Sequence, residues 1–241
     1  MPVPAVELRS VTIRIGTRSI LTNASCVFGR PELSLVCGRV GCGKTLLAQV
    51  IAGIRKPDSG TIRRNRSRIS MVFQHAEHGL LGETVLEDLI LSARSAGMDG
   101  TDAPVSAARI LSDLGISHLT ERYVVTLSGG EARLVAIAGA LLSHADVIIA
   151  DEPFVNLDWP SVRSVLRALI RARQTGKTVI VITHEIEKVL AHAERLIVLH
   201  HARIALNRTY LEYEDVHTED REILKQAGVR LHGFRREQTW L

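Results

Sequence analysis

Short continuous apolar runs recur at 33–37 (LSLVC), 69–73 (ISMVF), 147–150 (VIIA) and Thr178–Ile182 (TVIVI). Runs of this length without polar alternation predict parallel strands covered on both faces. The opening of the chain has a different rhythm. Over 6–15 (VELRSVTIRI) apolar and polar residues alternate, with Val6 and Leu8 on one phase and Val11, Ile13 and Ile15 on the other, which predicts a bulge near Arg9 and Ser10. A turn at Gly16-Thr17-Arg18 and a second strand over 20–28 complete an antiparallel layer. Helical stripes follow over 45–52, over 84–95 with Val85, Leu89, Leu86 and Ile90, and over 105–114. Further helices are expected after Ser128, over 161–175, and as a charged segment over 218–227. Breaker-rich turns fall at 56–60 and 97–104, and two more strands at 195–199 and 203–206. The order implies an α/β fold: a mostly parallel core sheet, an antiparallel β subdomain before it, and an α-helical subdomain at about 84–143. One main domain is expected over 1–215, with a C-terminal helix and basic tail over 216–241 that is poorly ordered from 229 onward.

At 241 residues the chain has ample length for a large core. No apolar run approaches the roughly 18 residues of a membrane helix, and the longest, 134–142, is interrupted by Gly139. The first residues, MPVPAVELR, carry a glutamate and lack the basic-then-apolar order of a signal peptide. The expectation is a soluble protein whose membrane role, if it has one, comes through a partner. Cys26, Cys37 and Cys42 are odd in number and form no CxxC pair, as reduced cytosolic thiols do. The net charge of +4 is mild. Arginines at 63, 64, 66 and 68 and at 235 and 236 read as solvated faces rather than a nucleic-acid surface.

The chemistry is concentrated where the apolar runs end. The first is followed by Gly38-Arg39-Val40-Gly41-Cys42-Gly43-Lys44-Thr45 and then by a helix. Strand, glycine-rich turn and helix form the setting of a phosphate-binding P-loop, in which backbone N–H groups and the helix start cradle an anion. Lys44 would reach the terminal phosphates, and Thr45 would offer a hydroxyl to Mg²⁺. The other strand ends deliver Gln74, Asp151-Glu152 and His184. An acidic pair closing an apolar strand is costly without a cation, so Asp151 fits a Mg²⁺ ligand and Glu152 the group that orients or deprotonates an attacking water. Gln74 can bind Mg²⁺ or the water, and His184 can donate to a γ-phosphate. Ser128-Gly129-Gly130 is a second anion-binding helix start, and the chain offers one P-loop to share a phosphate with it. Either it takes another anion, or it closes over a nucleotide held by a second chain.

In order, GRVGCGKT, Gln74, LSGGE, VIIADEP, Asn156-Leu157-Asp158 and His184 resemble the Walker A, Q-loop, signature, Walker B, D-loop and H-loop of an ATP-binding cassette (ABC) ATPase, over residues 5–215. The resemblance implies a P-loop NTPase that binds ATP and Mg²⁺, with Thr45, Gln74 and Asp151 at the metal. It also implies that Ser128, Gly129, Gly130, Glu131 and Asp158 complete a partner subunit's site in a homo- or heterodimer. The segments around 73–88 and Val135-Ala136-Ile137-Ala138-Gly139 are similar to those of energy-coupling factor (ECF) ATPases. Such ATPases sit in pairs at the cytoplasmic face of the membrane, under a transmembrane coupling protein and a substrate-binding membrane protein, and import vitamins or transition-metal ions. The alternatives are a cassette of another ABC transporter sub-family, a soluble nucleic-acid-acting cassette, and a nucleotide-gated scaffold without turnover. Some positions depart from the pattern. Ile15 falls where an adenine-stacking aromatic is expected, Phe154 replaces a small polar residue, and Glu131 replaces glutamine. His75, Glu77 and His78 read as surface contacts rather than a metal relay, and His200-His201 as solvated. The stripe Leu86, Ile90 and Ala93 is either core or a docking groove.

Overall fold

The computed structural model describes residues 4–98, 100–209 and 218–229. The chain opens with β1 (Val6–Ile15) and β2 (Arg18–Phe28), which pair antiparallel. The register of β1 shifts between Leu8 and Val11, and Ser10 takes a φ of 51°. This bulge lets Val6, Leu8, Val11 and Ile13 all face inward despite the change of phase. Next come β3 (Leu33–Gly38), α1 (Lys44–Ala52), β4 (Ser59–Arg63) and β5 (Ile69–Val72). β4 pairs with the other side of β1, closing a three-stranded antiparallel sheet in the order β2-β1-β4.

The second half contains α2 (Val85–Ser95), α3 (Asp102–Asp113), α4 (Gly129–Leu142), β6 (Val147–Asp151), α5 (Trp159–Gln174) and β7 (Thr178–Ile182). The chain then forms β8 (Arg195–His200), β9 (Arg203–Thr209) and α6 (Thr218–Gln226). The large sheet has the order β5-β6-β7-β3-β8-β9, parallel throughout except for β9 at its edge. Successive side chains of each central strand enter opposite cores. Val179 and Val181 join Leu33, Leu35, Leu196 and Val198 on the face covered by α2 to α6, whereas Ile180, Ile182, Ile197 and Leu199 join α1 and the small sheet on the other. Burial on both faces favours an apolar residue at nearly every position, with Ser34 and Thr178 as buried hydroxyl exceptions, which is why these strands read as almost uninterrupted runs.

Two expectations are corrected by the fold. The breaker-rich stretch 97–104 is shorter than expected: α3 begins at Asp102, with Pro104 inside its first turn. Proline lacks an N–H that no helix uses there, so it does not break the helix. The turn expected at 56–60 ends instead in β4, whose residues are mostly exposed and leave no apolar signature. The stripe on α2 is resolved in favour of core at Ala93, which is fully buried with Val85 and Leu89, while Leu86 and Ile90 are half-buried. The expected boundary at 215 and the tail beyond 229 lie outside the described residues. Among the described residues no helix is long and apolar enough to cross a membrane.

Gly139 sets the spacing between α2 and α4. A Cβ placed there would lie 2.9 Å from the Ser92 hydroxyl oxygen and 3.8 Å from a methyl of Leu89. Replacing Gly139 with leucine should therefore force the helices apart and lower stability by about 1–3 kcal/mol, the range for overpacked cores. The urea midpoint measures it, and an unchanged midpoint would show that this contact does not constrain the core.

Candidate active site

The parallel strands end on one edge of the large sheet, and the loops leaving it build the site. The turn after β3 is shaped by glycine at two positions. At Gly38 (φ 147°) a Cβ would lie 2.4 Å from the Leu199 carbonyl, and at Gly43 (φ 100°) 2.6 Å from Ile20. Lys44 is buried, and its ammonium donates to the carbonyls of Gly38 at 2.9 Å and Arg39 at 3.2 Å. The turn thus holds a cation at its centre. Arg39, Val40, Gly41 and Cys42 complete it, with Val40 exposed and Cys42 half-buried.

At the end of β6, Asp151 is 1% exposed, and neither carboxylate oxygen makes a well-formed hydrogen bond, although the Thr45 hydroxyl lies beside it. Burial pushes its pKa above the usual aspartate value. The nearby Thr45 hydroxyl and Lys44 ammonium oppose that shift, while the Glu152 charge adds to it. Glu152 follows at a φ of 50°, pinned by its N–H donating to the Ile182 carbonyl at 2.7 Å. Its carboxylate accepts from the Thr183 hydroxyl at 3.0 Å and lies 3.0 Å from His184 Nδ1. A carboxylate only accepts, so Nδ1 carries the proton in this contact.

Lys44, Thr45, Gln74, Glu152 and His184 line one cleft of about 370 Å³, together with Ile15, Ile20 and Val155. Ile15 is 54% exposed on this cleft, so the surface where an aromatic was expected is apolar but not aromatic. Phe154, the other unexpected residue beside the acidic pair, is buried in the main core, with the Lys188 ammonium 5.7 Å from its ring centre.

The second anion-type helix start is not on the cleft lining. Ser128 caps α4 in a reciprocal box: its hydroxyl accepts from the Glu131 N–H at 3.3 Å, and its own N–H donates to the Glu131 carboxylate at 2.7 Å. These bonds hold the Glu131 carboxyl below the usual glutamate range. Gly129 has open space around it, whereas a Cβ at Gly130 would lie 3.1 Å from the Asn156 carbonyl. Asp158, just beyond, caps α5 by accepting from the Ser161 N–H at 3.1 Å. The fold therefore sets the start of α4 against the turn bearing Asp158; Ser128, Gly129, Gly130, Glu131 and Asp158 are not on the lining of their own chain's P-loop cleft, although Val155 of that turn is.

Sequence reasoning passed over Arg133, the buried arginine on α4 that bonds to the Gln74 and Val155 carbonyls. A signal was available: its helical neighbours Ile137 and Ala140 are core residues, so a charge there stands on a buried stripe. The remaining polar pairs carry no site. His75 and Glu77 lie 3.4 Å apart on the surface, and the His78 side chain is outside the described set. Among the described residues no three histidine, cysteine or acidic side chains are placed to hold a metal between them. Burial raises the Cys26 and Cys37 thiols to about 12, so neither is a nucleophile.

The ABC transporter family model matches residues 21–155. The energy-coupling factor transporter ATP-binding protein EcfA2 of Thermotoga maritima is 32% identical over 81% of this chain and 77% of its own length. A methionine import ATP-binding protein, MetN of Brucella abortus, is 33% identical over 84% of this chain and 59% of its own. Among solved structures, the dimeric ATP-binding cassette MJ0796 in a post-hydrolysis state with ADP and phosphate superposes with a TM-score of 0.77 at 26% identity. It covers 85% of this chain and 98% of that one. CbiO1 of Clostridium perfringens, part of the transporter complex cbiONQ, gives a TM-score of 0.75 at 25% identity, over 95% and 96% of the two chains. From the P-loop to the capped start of α4, this chain belongs to the ABC transporter family, as one of its ATP-binding cassettes.

Proposed function

We propose that this chain hydrolyses ATP as the nucleotide-binding subunit of a membrane importer of the energy-coupling factor type, working as half of a two-cassette sandwich. The observation that carries hydrolysis is the Glu152 carboxylate, fixed on the P-loop cleft by Thr183 and His184. A carboxylate held in this way can accept a proton from an attacking water and orient it. Lys44 supplies positive charge to the terminal phosphates. His184, with Nδ1 given to Glu152, lines the same cleft and would reach a γ-phosphate through Nε2.

The residues fit a magnesium ion. A buried carboxylate without a well-formed hydrogen bond is costly, and a hard cation relieves it. Asp151 and Thr45 would hold the ion, with Gln74 contributing from the other side of the cleft. Mg²⁺, when bound, neutralises charge on the β- and γ-phosphates.

The sandwich follows from the placement of Ser128, Gly129, Gly130, Glu131 and Asp158 away from their own cleft. In a pair of cassettes, each set would close on the nucleotide of the other, and hydrolysis would release the closure. The membrane partner is assigned to the segment 74–88, which leaves the cleft directly after Gln74. Within it Leu81 is 84% exposed, and Val125, next to the Val124 that bonds back to Glu83, is 89% exposed. An importer of another ABC sub-family is the second reading, favoured by the methionine-import relatives.

The expected outcomes are specific. Lys44→Ala should abolish nucleotide binding or turnover. Glu152→Gln should keep binding, lower kcat by about 10²–10⁴-fold, and form an ATP-dependent dimer on size exclusion. A monomer under those conditions, with an active wild type, would end the sandwich. Asp151→Asn tests the metal assignment by calorimetry. The folded-state pKa of Asp151 is raised, so its ionised form costs stability once the pH exceeds the unfolded value of 3.8. At neutral pH without Mg²⁺ the variant should melt higher than the wild type, and it should lose the extra stabilisation MgATP gives the wild type. A variant that melts lower and keeps that response would remove Asp151 from the metal. Affinity purification from membranes tests the partner: a small multi-spanning coupling protein is expected, and two large permease domains would establish the second reading.

A further inference from the structure

We propose that Arg133 is a positioning residue that ties the start of α4 to both Gln74 and the turn carrying Asp158, so that the three move as one body when nucleotide is gripped. Its Nη2 donates to the Gln74 carbonyl at 2.6 Å, and its Nη1 donates to the Val155 carbonyl. Gln74 lies just past β5 and Val155 just past β6, between Phe154 and Asn156. Both carbonyls thus belong to loops at the sheet edge, outside the strand ladders, and the guanidinium is a bond between them. Arg133 is five residues beyond Ser128 in the same helix, about 7.5 Å along its axis at the usual rise. A shift of the helix start is therefore carried to both loops through one rigid element.

The chemistry argues for a coupling role rather than mere filling. The side chain is 5% exposed and its Nε finds no hydrogen-bond partner. Burying a cation on two neutral carbonyls costs more than a neutral side chain of similar volume would. Arginine's planar fork serves two acceptors on separate loops at once, which lysine's point donor cannot do at fixed geometry. The charges that face it are Glu77, beyond the Gln74 loop, and Glu152, in the cleft. The guanidinium is thereby sited where the sensing loop, the hydrolytic carboxylate and the partner-facing turn meet.

The inference rests on the ATPase reading for its kinetic test alone, so a second test is independent of turnover. Hydrogen exchange on the full chain, with and without a non-hydrolysable ATP analogue and Mg²⁺, should show wild-type protection both around Gln74 and over 128–135. In Arg133→Lys and Arg133→Ala the analogue should still protect the Gln74 segment while 128–135 no longer responds. In steady state, kcat should fall about 10- to 100-fold with the KM for ATP within about threefold, and lysine should restore part of the loss. Should the alanine variant fail to fold, the lysine and glutamine variants, checked by circular dichroism, carry the same comparison. Linked protection in folded variants, with kcat near wild type and only Tm lowered, would overturn the proposal and leave Arg133 a packing residue. A wild type without turnover, whose linked protection is lost in Arg133→Lys, would support the coupling and refute the ATPase reading instead.

Discussion

Asp151 is the constraint around which this fold is arranged. It closes an apolar strand in the middle of the large sheet, and the sheet carries it into the interior with neither oxygen in a well-formed hydrogen bond. A charge there is costly unless a positive group stands near it, and the loops at that edge bring Lys44 close. The P-loop places Lys44 and Thr45 beside the carboxylate, and β5 delivers Gln74 from the neighbouring strand. The continuous apolar runs of β3, β6 and β7 are what allow the cluster to form, because they keep water from the strands that carry it.

The same edge concentrates unusual backbone. Among the non-glycine residues with positive φ, Glu152 and Asn156 lie four apart, on either side of Val155. Conformations of this kind cost of order 1–3 kcal/mol each and persist only where neighbours fix them. Here the fixing groups are identifiable: the Glu152 N–H bonds across to β7, and the Val155 carbonyl accepts from Arg133. The turn that leads from the acidic pair to Asp158 is therefore held at both ends by elements of the sheet edge and α4, not by its own hydrogen bonds alone.

Much of this was legible in the sequence, and the omissions have physical causes. The central strands were visible because burial on two faces favours apolar residues at nearly every position. The P-loop, the acidic pair and the capped helix at Ser128 were visible because each uses residue types that few other roles require. β4 was missed because Ser59–Arg63 lies at a sheet edge with its side chains mostly exposed, so no alternation survives. The start of α3 was missed because Pro104 reads as a breaker, although the first turn tolerates it. Arg133 was missed for a different reason. Arginine is an ordinary helix former, and its two acceptors are backbone carbonyls 59 and 22 residues away, which side-chain patterns do not record.

Glu131 shows how local and assembled functions compete for the same atoms. The first turn of a helix has N–H donors without intrahelical partners, which is why helix starts attract anions. At α4 the Glu131 carboxylate already takes the Ser128 N–H, and those bonds keep it ionised. A phosphate approaching this end meets a negative charge in place of the neutral amide that glutamine would present. What remains for it is the Ser128 hydroxyl and the N–H groups of Gly129 and Gly130, with open space at Gly129 for close approach. The capping box thus gives α4 a fixed start at the expense of anion affinity. The competition is for the donors of one helical turn: what holds the first turn of α4 in place is the same carboxylate that makes its start less attractive to an anion.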